Sequence, residues 1–242
     1  MKILGIIPAR YASTRFPGKP LVEIKGKTMI QRVYEQAKKT VALAEVVVAT
    51  DDERIAQEVD RFGGKYIMTS ATHQSGTDRC AEVAEQLQEF DIIINIQGDE
   101  PYINPEQIEL LANCFQEERT EIATLIKEIH TDEELHNINI PKVVLNTRHE
   151  ALYFSRQVIP YIRNVQKENW VKSHQFYKHI GIYGYRKDVL SAITKLQPSS
   201  LELAENLEQL RWLENGFSIQ TKVTNLDTIA IDTPEDLQKI LK

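Results

Sequence analysis

Residues 3 to 19, which read Ile3-Leu-Gly-Ile-Ile-Pro-Ala-Arg-Tyr-Ala-Ser-Thr-Arg-Phe-Pro-Gly-Lys19, predict a strand that leads into a binding loop. The run from Ile3 to Ile7 is short, apolar and rich in β-branched residues, which is typical of a buried strand. Pro8 is expected to end this strand, because proline has no N–H group to donate to the ladder. The loop that follows is made of small residues and cations.

Three cations lie in this loop, at Arg10, Arg15 and Lys19, and Pro17-Gly18 predicts a turn. Small residues let backbone N–H groups approach an anion, and cations neutralise it, so the loop predicts a phosphate-binding segment. The phosphate-loop and dinucleotide glycine fingerprints are both absent. The alternative is a surface loop with solvated charges. Its position directly after a buried strand, where open α/β sheets bind ligands, favours phosphate binding.

Strand and helix patterns alternate along the chain, and this alternation predicts an α/β fold with a parallel sheet and right-handed crossovers. The segments 143–145 and 151–154 flank a polar turn and predict an antiparallel pair, whereas 161–175 show no period and are expected to form an irregular, mobile excursion. The predicted strands cover residues 3–7, 45–49, 65–68, 91–96, 122–126, 143–145, 151–154, 179–185, 218–223 and 229–231. The predicted helices cover 27–39, 52–62, 76–88, 105–116, 131–136, 203–216 and a closing segment after 233.

Length and composition predict a single domain over residues 1–242 with an ordinary globular balance of apolar and charged residues. The net charge is −6 and no Lys/Arg block is present, which argues against a nucleic-acid surface. No apolar run approaches a membrane span and the N-terminus lacks a signal-peptide pattern, so a cytoplasmic protein is expected. Cys80 and Cys114 lie among apolar neighbours and are expected to be reduced, buried thiols.

A polar segment from Thr69 to Arg79 opens a helix and offers Ser75, Gly76 and Thr77 at its N-terminus. Backbone N–H and hydroxyl groups there can surround a base or a ribose. The alternative is a capping segment with no ligand, and the pattern alone does not choose between the two.

The most apolar strand, residues 91–96, runs into Gln97-Gly98-Asp99-Glu100-Pro101. An aspartate after a strand is more often a cap or a turn residue. However, Asn104 followed by Pro105 is a better cap for the next helix, which leaves Asp99 without a structural role. Carboxylate oxygens at the end of a strand suit Mg²⁺, and Gly98 permits a close backbone approach.

Asp232 stands in a similar place, after the predicted strand 229–231 and one residue before the cap Thr233. The residues alone leave open whether it is a second capping aspartate. Arg156 follows the strand 151–154 and could equally be a solvated surface charge.

The segment from His179 to Tyr185 alternates, which predicts that His179, Gly181, Tyr183 and Tyr185 share one face of a strand. A lone strand histidine is more often structural than functional. The segment 203–216 is amphipathic, with a stripe that includes Leu203, and Glu208 is expected at its surface.

Several of these segments resemble motifs of one family, the 3-deoxy-manno-octulosonate (Kdo) cytidylyltransferases among the sugar-activating cytidylyltransferases. The similarity runs from residue 6 to residue 237. The motifs are Pro-Ala-Arg-x-x-Ser-x-Arg-x-Pro-Gly-Lys-Pro-Leu at 8–21, His-Gln-Ser-Gly-Thr-Asp-Arg at 73–79, Gln-Gly-Asp-Glu-Pro at 97–101, Phe-Ser-Arg at 154–156, His-Ile-Gly-Ile-Tyr-Gly-Tyr at 179–185 and Leu-Glu-Gln-Leu-Arg at 207–211.

The resemblance implies a Rossmann-like nucleotide-diphospho-sugar transferase fold, whose mostly parallel central sheet is flanked by helices. It also implies a small antiparallel insertion, in a subregion of about 140–200, for sugar binding and dimerisation. The implied reaction converts CTP and Kdo into CMP-Kdo and pyrophosphate for lipopolysaccharide synthesis, with Mg²⁺ as cofactor. A cytoplasmic homodimer without nucleic-acid or membrane partners is expected.

The resemblance also implies roles for individual residues. It places Pro8, Ala9, Arg10, Arg15, Lys19, Ser75, Gly76, Thr77 and Gln97 at the nucleotide. It places Arg79, Gln97, Arg156, His179, Tyr185 and Glu208 at the acid sugar. Lys19, Asp99 and Asp232 are the expected catalytic residues, and Asp99 and Asp232 the expected Mg²⁺ ligands.

Three alternatives remain open at this point. The acceptor is 8-amino-Kdo, or another acid sugar such as a sialic acid, or the chain is a non-catalytic CTP-binding protein. The presence of both Asp99 and Asp232 argues against the last, because a protein that only binds CTP has less need of two metal ligands.

Overall fold

A mixed β-sheet forms the centre of the molecule in this computed structural model, which describes residues 1–12 and 16–241. The strands are β1 (Ile3–Ala9), β2 (Glu23–Ile24), β3 (Lys27–Thr28), β4 (Glu45–Thr50), β5 (Tyr66–Met68), β6 (Ile92–Asn95), β7 (Ile122–Glu128), β8 (Lys142–Leu145), β9 (Ala151–Ser155), β10 (Tyr177–Arg186) and β11 (Ile219–Val223). The helices are α1 (Met29–Ala37), α2 (Glu53–Arg61), α3 (Gly76–Gln86), α4 (Pro105–Ala112), α5 (Asp132–His136), α6 (Trp170–Ser173), α7 (Lys187–Ile193), α8 (Ser200–Glu205), α9 (Gln209–Glu214) and α10 (Pro234–Leu241), with 3-10 turns at Lys19–Leu21, Asn113–Gln116 and Lys167–Asn169. Within the described ranges, no helix is long and apolar enough to cross a membrane.

The main path of the sheet runs in the order β11, β7, β10, β6, β1, β4, β5. β1 pairs in parallel with β4 and β6, β4 with β5, and β11 with β7, whereas β10 is antiparallel to both of its neighbours. β8 and β9 form an antiparallel pair attached to β10. The predicted sheet, mostly parallel with a small antiparallel insertion, is therefore confirmed.

Apolar residues on both faces of β1 explain why it lies in the middle of the sheet. Ile3 and Ile7 belong to the core on one face, and Leu4 and Ile6 to the core on the other. A parallel strand that is covered by helices on both sides needs this continuous apolar run. The end of β1 is thereby held rigidly where the following loop begins.

Pro8 does not end the first strand, because β1 continues through Pro8 to Ala9 and pairs there with β4. The prediction was wrong for a geometric reason. The Ile6 carbonyl accepts from Ile96 N at 2.8 Å, so every second residue of β1 directs its peptide groups towards β6. Pro8 points the same way, but β6 ends at Asn95, so no ladder partner there needs the missing N–H group.

The segment 161–175 is folded, which corrects the prediction of an irregular excursion. Trp170 is 3% exposed and packs with Ile129, Leu135 and Phe176 in a small separate core. Its indole N–H donates to the Val165 carbonyl at 3.0 Å. One buried aromatic side chain therefore anchors a segment without periodicity.

The predicted helix over 203–216 is two helices, α8 and α9, separated by Asn206 in a left-handed conformation with φ 52°. Arg156 is the physical reason. Its guanidinium donates to the Glu205 carbonyl at 2.6 Å and to the Asn206 carbonyl at 3.1 Å, where the first helix ends. The predicted apolar stripe was wrong at Leu203, which is 71% exposed.

β10 carries a bulge that the alternation pattern does not predict. The register with β7 shifts between Ile180 and Tyr183, and Gly181 lies in the bulge and is exposed. The bulge adds two residues to β10, so the side chains before and after it stay on the same face. The rings of His179, Tyr183 and Tyr185 therefore follow one another, with centroids 5.2 and 6.0 Å apart.

Residues 229–231 form no strand, which corrects a further prediction. In this segment Ile231 N donates to the Asp99 carbonyl at 2.9 Å. The Ile231 side chain is fully buried beside Ile24 and Met29. One backbone hydrogen bond and one buried side chain thus hold the segment that carries Asp232.

Both cysteines are free and buried, as predicted. Burial raises the pKa of the Cys80 thiol and raises that of Cys114 to about 11. Neither thiol is therefore a nucleophile at neutral pH.

Candidate active site

An open cavity of about 240 Å³ lies where β1 and β6 end and α3 begins. It contains most of the residues that the sequence singles out for a nucleotide. The residues predicted from sequence that line it are Pro8, Ala9, Arg10, Lys19, Ser75, Gly76, Arg79, Gln97, Asp99 and Asp232. Arg15, a further predicted nucleotide-binding residue, lies outside the described residues.

Parallel pairing brings the two loops of the cavity together. β1 and β6 pair over Ile3–Ile6 and Ile92–Asn95, so the chain leaves both strands at the same edge of the sheet. The loops then approach so closely that a Cβ atom on Gly98 would lie 2.8 Å from the Pro8 carbonyl oxygen. Only glycine fits there without a shift of the backbone.

The N-terminus of α3 forms one wall of the cavity. Ser75 caps this helix by accepting from Asp78 N at 3.1 Å, and Asp78 completes a capping box. Ser75 and Gly76 also line the cavity, so the capping role and a ligand role are compatible. Thr77 does not line it, and its hydroxyl donates to the Glu208 carboxylate at 2.7 Å.

Arg79 lies on the cavity side of α3 and is 4% exposed. Its guanidinium forms an ion pair with Asp51 at 3.4 Å and donates to the Thr69 hydroxyl. The structure therefore places Arg79 beside the residues predicted for the nucleotide, although the family resemblance assigns it to the sugar.

Lys19 joins the two predicted metal ligands. Its Nζ atom lies 2.7 Å from Asp99 Oδ2 and 3.3 Å from Asp232 Oδ1. The lysine side chain is 16% exposed, so the contact is partly shielded from water. Two carboxylates that are distant in sequence thus converge at one point of the cavity.

Helix capping does not account for either carboxylate. Asn104 caps α4, accepting from Glu106 N at 2.9 Å, as predicted. At α10 the Thr233 hydroxyl accepts from Asp236 N, and the Asp236 carboxylate accepts from the backbone of Thr233 and Asp232. Asn104 and Thr233 therefore supply these capping contacts, and the carboxylates of Asp99 and Asp232 contact Lys19.

The pair Asp99 and Asp232 suits a hard cation. Mg²⁺ takes one or two protein carboxylates and completes its shell with phosphate oxygens and water. In residues 1–12 and 16–241, no three or more His, Cys, Asp or Glu side chains gather as a metal site. A metal bound by this pair would complete its shell with phosphate oxygens and water.

A second group of predicted residues lies beside the cavity rather than in its lining. His179, Tyr185 and Glu208 face the same region, and Thr77 links Glu208 to the start of α3. Tyr183 pairs with Asn95, whose amide oxygen accepts from Gln97 Nε2 at 3.4 Å. These two links place the group next to the cavity.

Burial perturbs the ionisable members of this group. It raises the pKa of Glu208 and lowers that of His179 to about 4. Tyr185 is fully buried, and its ring packs edge-on against Trp212 with centroids 5.6 Å apart. In this structure Tyr185 therefore supports its neighbours by packing and has no exposed surface that could contact a ligand.

Arg156, also predicted at the sugar, does not line the cavity. Its guanidinium donates to the carbonyls of Ile138, Glu205 and Asn206, and its backbone N–H donates to the Glu205 carboxylate. The structure thus shows a role for Arg156 in holding α8 against β9, and its sugar contact stays a prediction.

The sequence reasoning did not assign several residues that lie near the site. His73 and Gln74 line the cavity, and His73 contacts the Glu82 carboxylate. Their signal was present, because they belong to the polar segment before α3. Thr124, a fully buried neighbour of His179, gave no signal, because a threonine inside a strand is ordinary.

The fold and the cavity together define an α/β nucleotidyltransferase, with the cations Arg10 and Lys19 and the carboxylates of Asp99 and Asp232 in one cavity. The family model described as cytidylyltransferase matches residues 4–223. The chain is 59% identical to the 3-deoxy-manno-octulosonate cytidylyltransferase of Cytophaga hutchinsonii, over 99% of this chain and 96% of that protein. It is 58% identical to the protein of the same name from Parabacteroides distasonis, over 100% and 97%. The chain therefore belongs to the cytidylyltransferase family, and within it to the 3-deoxy-manno-octulosonate cytidylyltransferases.

Solved structures agree with this assignment. A CMP:2-keto-3-deoxy-manno-octonic acid synthetase complexed with CTP is similar over 100% of this chain and 97% of its own, with a TM-score of 0.92 and 47% identity. A putative glucose-1-phosphate thymidylyltransferase from Bacillus anthracis has a TM-score of 0.64 and 17% identity, over 99% of this chain and 94% of its own. That second likeness shows a shared fold alone. The predicted sugar-nucleotidyltransferase fold is thus confirmed.

Proposed function

We propose that this chain transfers a cytidylyl group from CTP to Kdo, which yields CMP-Kdo and pyrophosphate and activates the sugar for lipopolysaccharide synthesis. The convergence of Lys19, Asp99 and Asp232 beside the N-terminus of α3 carries this proposal. It provides positive charge for a triphosphate and carboxylates for a cation in one cavity. The choice of cytosine as the base and of Kdo as the sugar is based on the membership of the chain in the Kdo enzyme family.

The reaction requires positioning and charge neutralisation. The anomeric hydroxyl of the sugar loses its proton and its oxygen bonds to the α-phosphorus of CTP. The bond from the α-phosphorus to the bridging oxygen breaks, and pyrophosphate leaves with that oxygen. Lys19 and Arg10 line the cavity and neutralise the triphosphate and the leaving pyrophosphate. The backbone of Ser75 and Gly76 at the start of α3 supports the nucleotide.

Asp99 and Asp232 would hold Mg²⁺, with phosphate oxygens and water as its other ligands. When bound, the ion supplies positive charge to the phosphate oxygens where negative charge develops. Both aspartates are positioned from the backbone, since Ile231 N donates to the Asp99 carbonyl.

On the sugar side, Gln97, His179 and Glu208 orient the acceptor. Their location supports this assignment, because they lie in or next to the cavity on the side of β10 and α9. A homodimer formed through the subregion of about 140–200, and a cytoplasmic location, complete the proposal.

The proposed substrate is tested by pyrophosphate release from CTP and Mg²⁺ with Kdo, 8-amino-Kdo or N-acetylneuraminate offered in parallel. We expect release with Kdo, at a rate at least tenfold above the other two, since one unmatched polar contact costs about 1–3 kcal/mol. Release with only 8-amino-Kdo, or with only N-acetylneuraminate, would show that this sugar and not Kdo is the acceptor. CTP binding without release for any sugar would favour a binding protein.

Gly98→Ala is expected to reduce turnover about 100-fold, the usual scale for a misplacement of about 1 Å in an active site. The added Cβ would meet the Pro8 carbonyl at 2.8 Å and push the loop that carries Asp99 away from β1. Gly181→Ala is the matched control, because nothing lies within 4 Å of the Cβ position there. Steady-state pyrophosphate release measures both variants, and equal rates would show that the close approach has no functional consequence.

A further inference from the structure

The buried hydroxyl of Thr124 meets three polar atoms on β10. Its Oγ1 atom lies 2.7 Å from the Ile182 carbonyl oxygen, 3.2 Å from the Ile180 carbonyl oxygen and 3.0 Å from His179 Nε2. The bulge between Ile180 and Tyr183 turns both carbonyls towards this one side chain. Thr124 is 0% exposed, so no water can take the place of these partners.

The single proton of the Thr124 hydroxyl determines which tautomer His179 adopts. A threonine hydroxyl carries one proton, and a carbonyl oxygen only accepts. Two oxygens 2.7 Å apart require a proton between them, so the hydroxyl donates to the Ile182 carbonyl. With its only proton used, the hydroxyl oxygen can only accept in its contact with His179 Nε2. Nε2 of His179 must therefore carry a hydrogen, and in the neutral ring Nδ1 is then an acceptor.

The surroundings of His179 keep the ring neutral. The Phe154 and Tyr183 rings have centroids 5.2 Å from it and bring no charge. Burial alone lowers the pKa of His179 to about 4. Within the described part of the chain Nδ1 has no hydrogen-bond partner, so this nitrogen keeps its capacity to accept a hydrogen bond.

We propose that Thr124 is a positioning residue that holds His179 as the Nε2–H tautomer, so that Nδ1 accepts a hydrogen bond from a hydroxyl group of the acceptor sugar. A neutral acceptor nitrogen repels a carboxylate but binds a hydroxyl donor. His179 therefore recognises a hydroxyl group of the sugar, and other residues bind the sugar carboxylate. This second part rests on the proposed function; the tautomer does not.

The tautomer is tested on the complete protein by long-range ¹H–¹⁵N NMR with ¹⁵N-labelled histidine, which distinguishes the two ring nitrogens. The His179 signal is assigned by its loss in His179→Asn. We expect wild-type protein at pH 7 to show Nε2–H only. A wild-type spectrum with Nδ1–H, or with a charged ring, would overturn the proposal without any need for a Thr124 variant.

Thr124→Val removes the hydroxyl at nearly constant shape, and Thr124→Ser keeps it. We expect Thr124→Val to give a mixture of tautomers and to raise KM for Kdo about tenfold, the scale of one hydrogen bond, with little change in KM for CTP. Thr124→Ser should restore the pure tautomer and the low KM. A merely structural threonine would not produce this split between the two substrates.

The outcomes separate the two parts of the inference. A valine variant that keeps the pure Nε2–H tautomer would show that Thr124 does not hold the ring. A changed tautomer with an unchanged KM for Kdo would overturn the recognition of a sugar hydroxyl. Absence of pyrophosphate release from wild-type protein with Kdo would overturn the proposed function and leave the NMR result to stand by itself.

Discussion

Asp99→Asn is expected to lower the rate of pyrophosphate release by about a thousandfold or more, which corresponds to about 4 kcal/mol of transition-state stabilisation. The amide removes a negative charge that would bind Mg²⁺ and also removes the ion pair with Lys19 at 2.7 Å. The fold should remain intact, because the backbone carbonyl of Asp99, which accepts from Ile231 N, is unchanged.

The measurement is kcat with saturating CTP and Kdo over a range of Mg²⁺ concentrations, together with far-UV circular dichroism. Asp188→Asn is the matched control, since that aspartate is exposed in the first turn of α7, outside the cavity. A near-normal rate of Asp99→Asn at saturating Mg²⁺ would show that the assigned role is wrong.

Lys19→Met is expected to reduce kcat/KM by about 100- to 1000-fold, the usual effect of removing one group that stabilises developing charge. The methionine keeps the length of the side chain but removes the ammonium that contacts both Asp99 and Asp232. The two carboxylates then face each other without that charge, so the protein without ligands should have a lower Tm than wild type.

A second readout for Lys19→Met does not depend on activity. Mg²⁺ alone should raise the Tm of this variant more than that of wild type, because in wild type the ion must displace the Lys19 ammonium from Asp99 and Asp232. Lys38→Met is the control, since Lys38 pairs with Glu45, at 3.5 Å, on an exposed surface. Equal responses to Mg²⁺ in all three proteins would contradict the convergence of Lys19 and the two aspartates.

Local signals in the sequence predicted much of the framework. β1, β4 and β6 follow from their apolar runs, and the caps at Asp52 and Asn104 follow from residue type and from the proline after Asn104. Asp52 caps α2 by accepting from Arg54 N at 3.0 Å. Such features depend on neighbours within a few residues, and so they are readable without the fold.

The errors occurred where a distant group overrides the local pattern. The helix over 203–216 breaks because Arg156, about fifty residues earlier in the chain, binds the carbonyls of Glu205 and Asn206. The strand β1 passes through Pro8 because its neighbour β6 has already ended. Trp170 orders its segment through contacts with Ile129, Leu135 and Phe176, which no periodicity reveals.

By itself the sequence determined the α/β framework, the basic loop after β1 and the candidates Asp99 and Asp232, since these depend on short runs, spacing and motifs. Only the tertiary structure decided which charges meet: Lys19 bridges aspartates 80 and 213 residues away. It also decided that Arg79 pairs with Asp51, and that Thr124 contacts His179. Such pairings depend on strand order, on register and on a bulge in β10, all of which are set by how the whole sheet packs, and no local pattern in the sequence encodes them.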